Sequence, residues 1–135
     1  MTAGRLVAVY GAMLVAFLAL DLLWLGVVAR DLYRRHLGSL MRADVHWGAA
    51  LAFYLIYLTG VLVLAVLPAV EAGTWTRALG LGALLGLVAY AAWDLTNLAV
   101  LDRFPAAIVP VDLAWGTFLT AVVALAGYGT ARLLG

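Results

Sequence analysis

Four long apolar runs follow one another along the chain, at about residues 5–29, 47–70, 77–101 and 105–134. Each is near the roughly 20 residues that a helix needs to cross the hydrocarbon core of a bilayer, so the pattern predicts four transmembrane helices. Polar positions inside the runs are few, and they recur at helical spacing. Tyr90, Trp93, Asp94 and Asn97 stand at i, i+3, i+4 and i+7 and therefore share one face of the third helix. Asp21 and Trp24 share a face of the first helix, Tyr54 and Tyr57 of the second, and Asp112, Trp115 and Gly116 of the fourth.

The connections set the topology. The stretch "RDLYRRHLGSLMRADVH", residues 30 to 46, places Leu32, Leu37, Leu40 and Met41 among charges, which suits a short helix lying on the membrane surface. The other two, "EAGTW" and "DRF", are short enough to join only antiparallel neighbours. The expected fold is all-α: an integral membrane four-helix up-down bundle, with a short interfacial helix between helices 1 and 2. Residues 1–135 form a single transmembrane domain in this reading. The opening "MTAGR" resembles the basic start of a signal peptide. The apolar run behind it is too long for one, lacks an A-x-A site and carries Asp21, so it reads as a retained helix.

Composition narrows the chemistry. With 67% hydrophobic residues, a soluble domain of this length would have nowhere to hide its apolar surface, so the lipid bilayer is the solvent. Eight arginines against seven acids give no sign of a nucleic-acid partner. The absence of lysine removes Schiff-base chemistry, and the absence of cysteine removes disulfides, thiolate metal sites and thiol nucleophiles. The only serine, Ser39, lies in the polar connection, which argues against a serine hydrolase. No phosphate loop or dinucleotide fingerprint is present, and no cofactor is expected. Asp21, Asp94, Asp112 and Asn97 would make an oxygen-rich set for a hard cation, but no metal-ligand spacing supports it and no metal is expected.

The first and third connections hold Arg30, Arg34, Arg35, Arg42 and Arg103; the opposite side holds Arg5, Arg77 and Arg132. Five against three favours the first side as cytoplasmic, with both termini in the periplasm. Trp47 and Trp75 flank the second helix as an aromatic belt would.

Depth along each helix ties the polar positions together. Asp21 and Asp94 each lie a little under ten residues before the ends of their helices, and Tyr54 and Asp112 as far beyond the starts of theirs. At 1.5 Å per residue all four sit roughly 10–12 Å inside the same membrane face. Antiparallel helices bring such positions into one layer. The expected site is an acidic, aromatic-lined pocket made by Asp21, Trp24, Tyr54, Tyr90, Trp93, Asp94, Asn97, Asp112 and Trp115. It would open toward the Arg-rich side, where His46 marks the rim and Arg30, Arg34 and Arg103 can reach in as counter-ions. An ionised side chain at a helix centre costs about 2.5–3.5 kcal/mol on the lenient insertion scale. Three carboxylates in one layer therefore call for shared protons or a bound cation.

Plainer readings stand beside these. Asp112 follows Pro110 and would be favoured in a first helical turn by the helix dipole alone. Asp94, Thr96 and Asn97 suit interhelical hydrogen bonds, worth about 0.6 kcal/mol each. The tryptophans suit bundle packing, and His46 suits an interfacial position. Gly82 and Gly86, preceded by Gly80, form a G-x-x-x-G that packs either inside the protomer or across a homodimer seam. A short echo, D-L-x-W, occurs at Asp21–Trp24 and again at Asp112–Trp115, on helices that run in opposite directions.

The blocks "FLALDLLWLGVVARDLYRRHLG", "FYLIY", "YAAWDLTNLAVL" and "VDLAWGTFLT", in that order, resemble the domain of unknown function 2177 family of small bacterial predicted membrane proteins. The resemblance covers almost the whole chain. It implies a four-helix protein of the bacterial inner membrane and brings no catalytic residue with it. The clustered acids and aromatic lining favour a protein that binds a proton, a cation or a small ligand such as a lipid. A small transporter would extend that reading, and would need a dimer, since one four-helix protomer is thin for alternating access. A lipid-modifying enzyme or its accessory subunit is a second class, with an aspartate as general acid or base, and a structural or assembly subunit a third.

Overall fold

The computed structural model describes residues 1–135. Four helices are long and apolar enough to cross a membrane: α1 (Ala3–Val28), α3 (Trp47–Ala72), α4 (Trp75–Val100) and α5 (Ala106–Leu133). The surface helix α2 (Arg30–Leu37), followed by a tight turn over Gly38–Leu40, separates the first two. A run of Leu, Ala and Val in lipid has no water to satisfy its backbone, and a helix satisfies every interior N–H and C=O within the segment.

The helix ends are closed by identifiable groups. Thr2 accepts from the Arg5 N–H at the start of α1. His46 does the same for the Ala49 N–H at the start of α3, at 3.1 Å. Gly73 ends α3 in the left-handed region, φ 71°, where a side chain would be strained. Near the end of α5, the Arg5 guanidinium donates to the Ala131 carbonyl at 3.1 Å, placing a cation at the negative end of that helix.

Two widened π turns interrupt the spans, over Trp24–Val28 in α1 and Leu62–Val66 in α3. The second has a local cause. Pro68 lacks an N–H and its ring crowds the preceding turn, and an extra residue in that turn relieves both. The first brings α1 to its end, where the Ala29 N–H donates to the Trp24 carbonyl at 2.7 Å.

Helix α5 is the axis of the bundle. Half of its most apolar stretch is buried, against 17% of that of α1, 33% of that of α3 and 22% of that of α4, and it packs on all three. Its tightest seam is with α4. Gly82 lies against Ala124 and Thr120, Gly86 against Gly116 and Thr120, and the Tyr90 ring against Gly116. Each step of four residues along α4 is matched by four residues back along α5, the ridge spacing of two interlocking helices. A Cβ on Gly86 would stand 2.2 Å from the Gly116 carbonyl oxygen. The G-x-x-x-G is therefore used inside the protomer, which removes these two glycines from any homodimer seam.

Two apolar clusters divide the bundle by depth. The larger joins Val9, Met13 and Phe17 of α1 to Leu58, Val61 and Val66 of α3 and to Leu119 and Val123 of α5. The smaller, Phe104, Ile108 and Val109, lies at the start of α5 and is covered by Tyr33 and Leu37 of α2. So α2 lies across this end of the bundle on Tyr33 and Leu37, while Leu40 and Met41 stay exposed.

Candidate functional site

One further step along the α4–α5 seam, past Tyr90 and Gly116, places Asp94 opposite Asp112. The two are 1% and 9% exposed, and Asp112 is the charged group that acts on Asp94. Asp21, half-buried on α1, lies within electrostatic reach of Asp112 and of the hydroxyls of Tyr54, Tyr57 and Tyr90. The structure thus brings Asp21, Asp94, Asp112, Tyr54 and Tyr90 to one level, between the two apolar clusters.

A residue that the sequence reading passed over completes the layer. From α2, the Tyr33 hydroxyl donates to Asp112 Oδ1 at 2.5 Å and accepts from Trp24 Nε1 at 3.0 Å. Burial and this bond to Asp112 push the Tyr33 phenol above its usual range, so at neutral pH it is a donor. Its signal was present in the sequence: Tyr33 and Leu37 are one turn apart on an otherwise charged helix. Trp24 also stacks on Trp115, with centroids 4.4 Å apart. Below them, Tyr57 Oη meets Thr120 Oγ1 at 2.6 Å; the Thr120 proton goes to the Gly116 carbonyl, which leaves Tyr57 as donor.

Three buried polar atoms at this level have no partner: Asp94 Oδ2, Asn97 Nδ2 and Trp115 Nε1. Separately, a cavity of about 330 Å³ is lined by Phe53, Ala89, Tyr90, Trp93 and Asp112. Of the six tyrosines, Tyr10, Tyr33 and Tyr57 spend their hydroxyls on other groups of the chain; Tyr90 does not.

The mouth differs from expectation. Phe53 and Trp93, 48% and 58% exposed, stand at the flank of the bundle between α3 and α4. Both lie six or seven residues in from the helix ends on the Arg-rich side, a depth of roughly 10 Å. At that depth along the spanning helices the opening is lateral. The Arg-rich end is closed instead, because Tyr33 and Leu37 hold α2 over the start of α5. Trp93 is accordingly a mouth residue, its ring near-perpendicular to that of Phe104 with 6.4 Å between centroids. Phe53 carried no signal in the sequence, since a phenylalanine in a spanning helix reads as lipid-facing.

The residues expected at the rim do not line this cavity. His46 is exposed and caps α3. Arg103 is exposed in the α4–α5 connection, at φ 64°. Arg30 and Arg34 are exposed along α2, in a different groove. Arg30, Arg34 and Arg103 donate to no aspartate of the layer, because their side chains follow the backbone to the surface while α2 covers it. The three aspartates share a level but do not converge as metal ligands would. What remains is Asp112, a carboxyl in the wall of a mainly apolar cavity. Such a site can hold a proton or a hydrogen-bonding head group.

A family model described as "Predicted membrane protein (DUF2177)" matches residues 6–129. Comparison with curated proteins gives no match, and neither does comparison with solved structures.

Proposed function

As this chain belongs to the DUF2177 family of predicted membrane proteins, we propose that it works within the bilayer, as a binding protein for a small amphiphile that enters sideways from the lipid. The observation that carries this reading is the cavity whose one acidic lining residue is Asp112 and whose mouth, Phe53 and Trp93, stands at acyl-chain depth. Its walls are otherwise apolar, which suits a single hydrocarbon chain. Asp112 Oδ1 accepts from the Tyr33 hydroxyl, and a carboxyl that lines the cavity beside Tyr90 calls for further donors. A head that donates, an ammonium or a hydroxyl, meets that demand.

Asp94 and Asp112 face one another in apolar surroundings, where paired carboxyls call for a neutralising partner. An ammonium head bound at Asp112 would fill that role. Below Tyr57 the bundle is closed by Leu58, Val61, Leu119 and Val123, which supports binding without passage through the protein. The protein lies in the bacterial inner membrane in this reading, with α2 on the cytoplasmic side and both termini in the periplasm, as the arginine distribution favours.

Dodecylammonium and dodecanol, titrated into the detergent-solubilised protein, test the proposal. Both should bind, and Asp112→Asn should weaken dodecylammonium about tenfold or more, the loss of a charge-assisted hydrogen bond of roughly 1.5–3 kcal/mol. Equal binding by the two proteins would overturn it. Turnover of membrane lipid by the reconstituted protein would instead favour an enzyme using the same carboxyl pair as acid and base.

A further inference from the structure

The surface helix borders a second cavity that the carboxylate layer does not use. Between the π turn of α1 and α2 lies a groove of about 400 Å³ lined by Leu25, Gly26, Arg30, Tyr33, Arg34 and Met41. Arg30 and Arg34 are one helical turn apart, so their guanidinium groups serve the same space. Neither donates a hydrogen bond within the chain; the arginine side chains that do are Arg5 and Arg42. Asp31 stands with Arg34 and Arg35 around a separate, shallow depression. Leu25 and Met41 are exposed although apolar, and a Cβ built on Gly26 would meet no atom within 4 Å. The groove lies where the apolar span of α1 gives way to charge, the level of lipid head groups.

Two unspent guanidiniums beside an exposed apolar wall match one chemistry: a phosphate that carries an acyl chain. The planar fork of arginine fits phosphate oxygens in pairs, and arginine gives up its water more readily than an ammonium does. We infer that this groove is a binding site for the phosphate of an anionic lipid, held by Arg30 and Arg34, with Leu25 and Met41 against the top of its chain. Tyr33 lines the same groove and donates to Asp112, so an occupied groove pins α2 over the carboxylate layer. The site is separate from the lateral cavity and stands or falls independently of the ligand proposed there.

Native mass spectrometry of the full chain in detergent, with phosphatidylglycerol or phosphatidylcholine added, tests the inference. Phosphatidylglycerol should remain bound where phosphatidylcholine does not. Retention should fall about tenfold or more when Arg30→Gln and Arg34→Gln are combined, as expected for lost charge-assisted hydrogen bonds. Gly26→Leu keeps both arginines and fills open space, so it should block the groove in a folded protein and lower retention comparably. Arg42→Gln and Arg132→Gln remove charge elsewhere and should leave retention unchanged. An equal loss from Arg42→Gln would mean diffuse attraction rather than a site, and would overturn the inference. So would unaltered retention in Gly26→Leu, or displacement of the lipid by millimolar inorganic phosphate.

Discussion

The indole of Trp24 lies flat on that of Trp115, with ring centroids 4.4 Å apart and planes 5° from parallel. The two residues end the two copies of D-L-x-W, one on α1 and one on α5. Their stack ties the end of α1 to the axis of the bundle, at the level of the carboxylates. It also aims the Trp24 N–H at Tyr33, whose own proton goes to Asp112. A repeat that looked like an echo of two halves is, in space, one contact.

Tyr33→Phe should uncouple the surface helix from the layer. It removes the donor to Asp112 and the acceptor for Trp24 while keeping the ring in the apolar cluster. A loss of about 1–3 kcal/mol is expected from leaving buried partners unsatisfied. Hydrogen exchange should quicken over Arg30–Leu37 before it does elsewhere. Unchanged exchange there would show that Leu37 and the Phe104 cluster suffice to hold α2.

Gly116→Ala tests the α4–α5 seam. The new Cβ would lie 2.2 Å from the Tyr90 ring, so one helix or the ring must move. Destabilisation of about 1–3 kcal/mol is expected in denaturant unfolding. The penalty should largely vanish in a Tyr90→Ala background, because the atoms that collide are then gone. Gly86→Leu should be destabilising in either background, since its obstacle is the Gly116 carbonyl oxygen.

Asp94→Asn should keep or raise stability. It removes one of two carboxyls that face each other in a buried place, and retains the size and hydrogen-bonding capacity of the side chain. Binding of dodecylammonium should fall at the same time, a separation of stability from function common at binding sites. Asp94→Leu should destabilise by removing polar partners from the layer. If Asp94→Asn weakens the fold as much as Asp94→Leu does, the carboxylate is structural.

The topology prediction suits cysteine labelling, as the chain contains no cysteine. Ser39→Cys, beyond α2, and Thr74→Cys, between α3 and α4, are both exposed and should label from opposite sides of the membrane. Thr74 is the better choice over its neighbour Gly73, whose φ of 71° disfavours any side chain. Labelling of Ser39→Cys from the periplasm alone would reverse the orientation proposed above.

What the sequence determined by itself follows from properties that run along a single helix. Apolar length marks the spans, the 3.6-residue period puts Tyr90, Asp94 and Asn97 on one face, and the 1.5 Å rise sets the level of each aspartate. Glycines spaced by four marked a close seam but left open whether the partner was α5 or another copy. The tertiary structure decided whatever depends on how helices are arranged around α5. It sent the opening sideways between Phe53 and Trp93, because α2 covers the Arg-rich end. It left Arg30, Arg34 and Arg103 outside the layer, and it brought Tyr33 in from a helix that composition placed at the surface. The physical reason is the same in each case. In lipid, an apolar helix face looks alike in sequence whether it meets hydrocarbon or a neighbouring helix, so the choice of neighbours rests on packing and hydrogen bonds between segments distant in the chain.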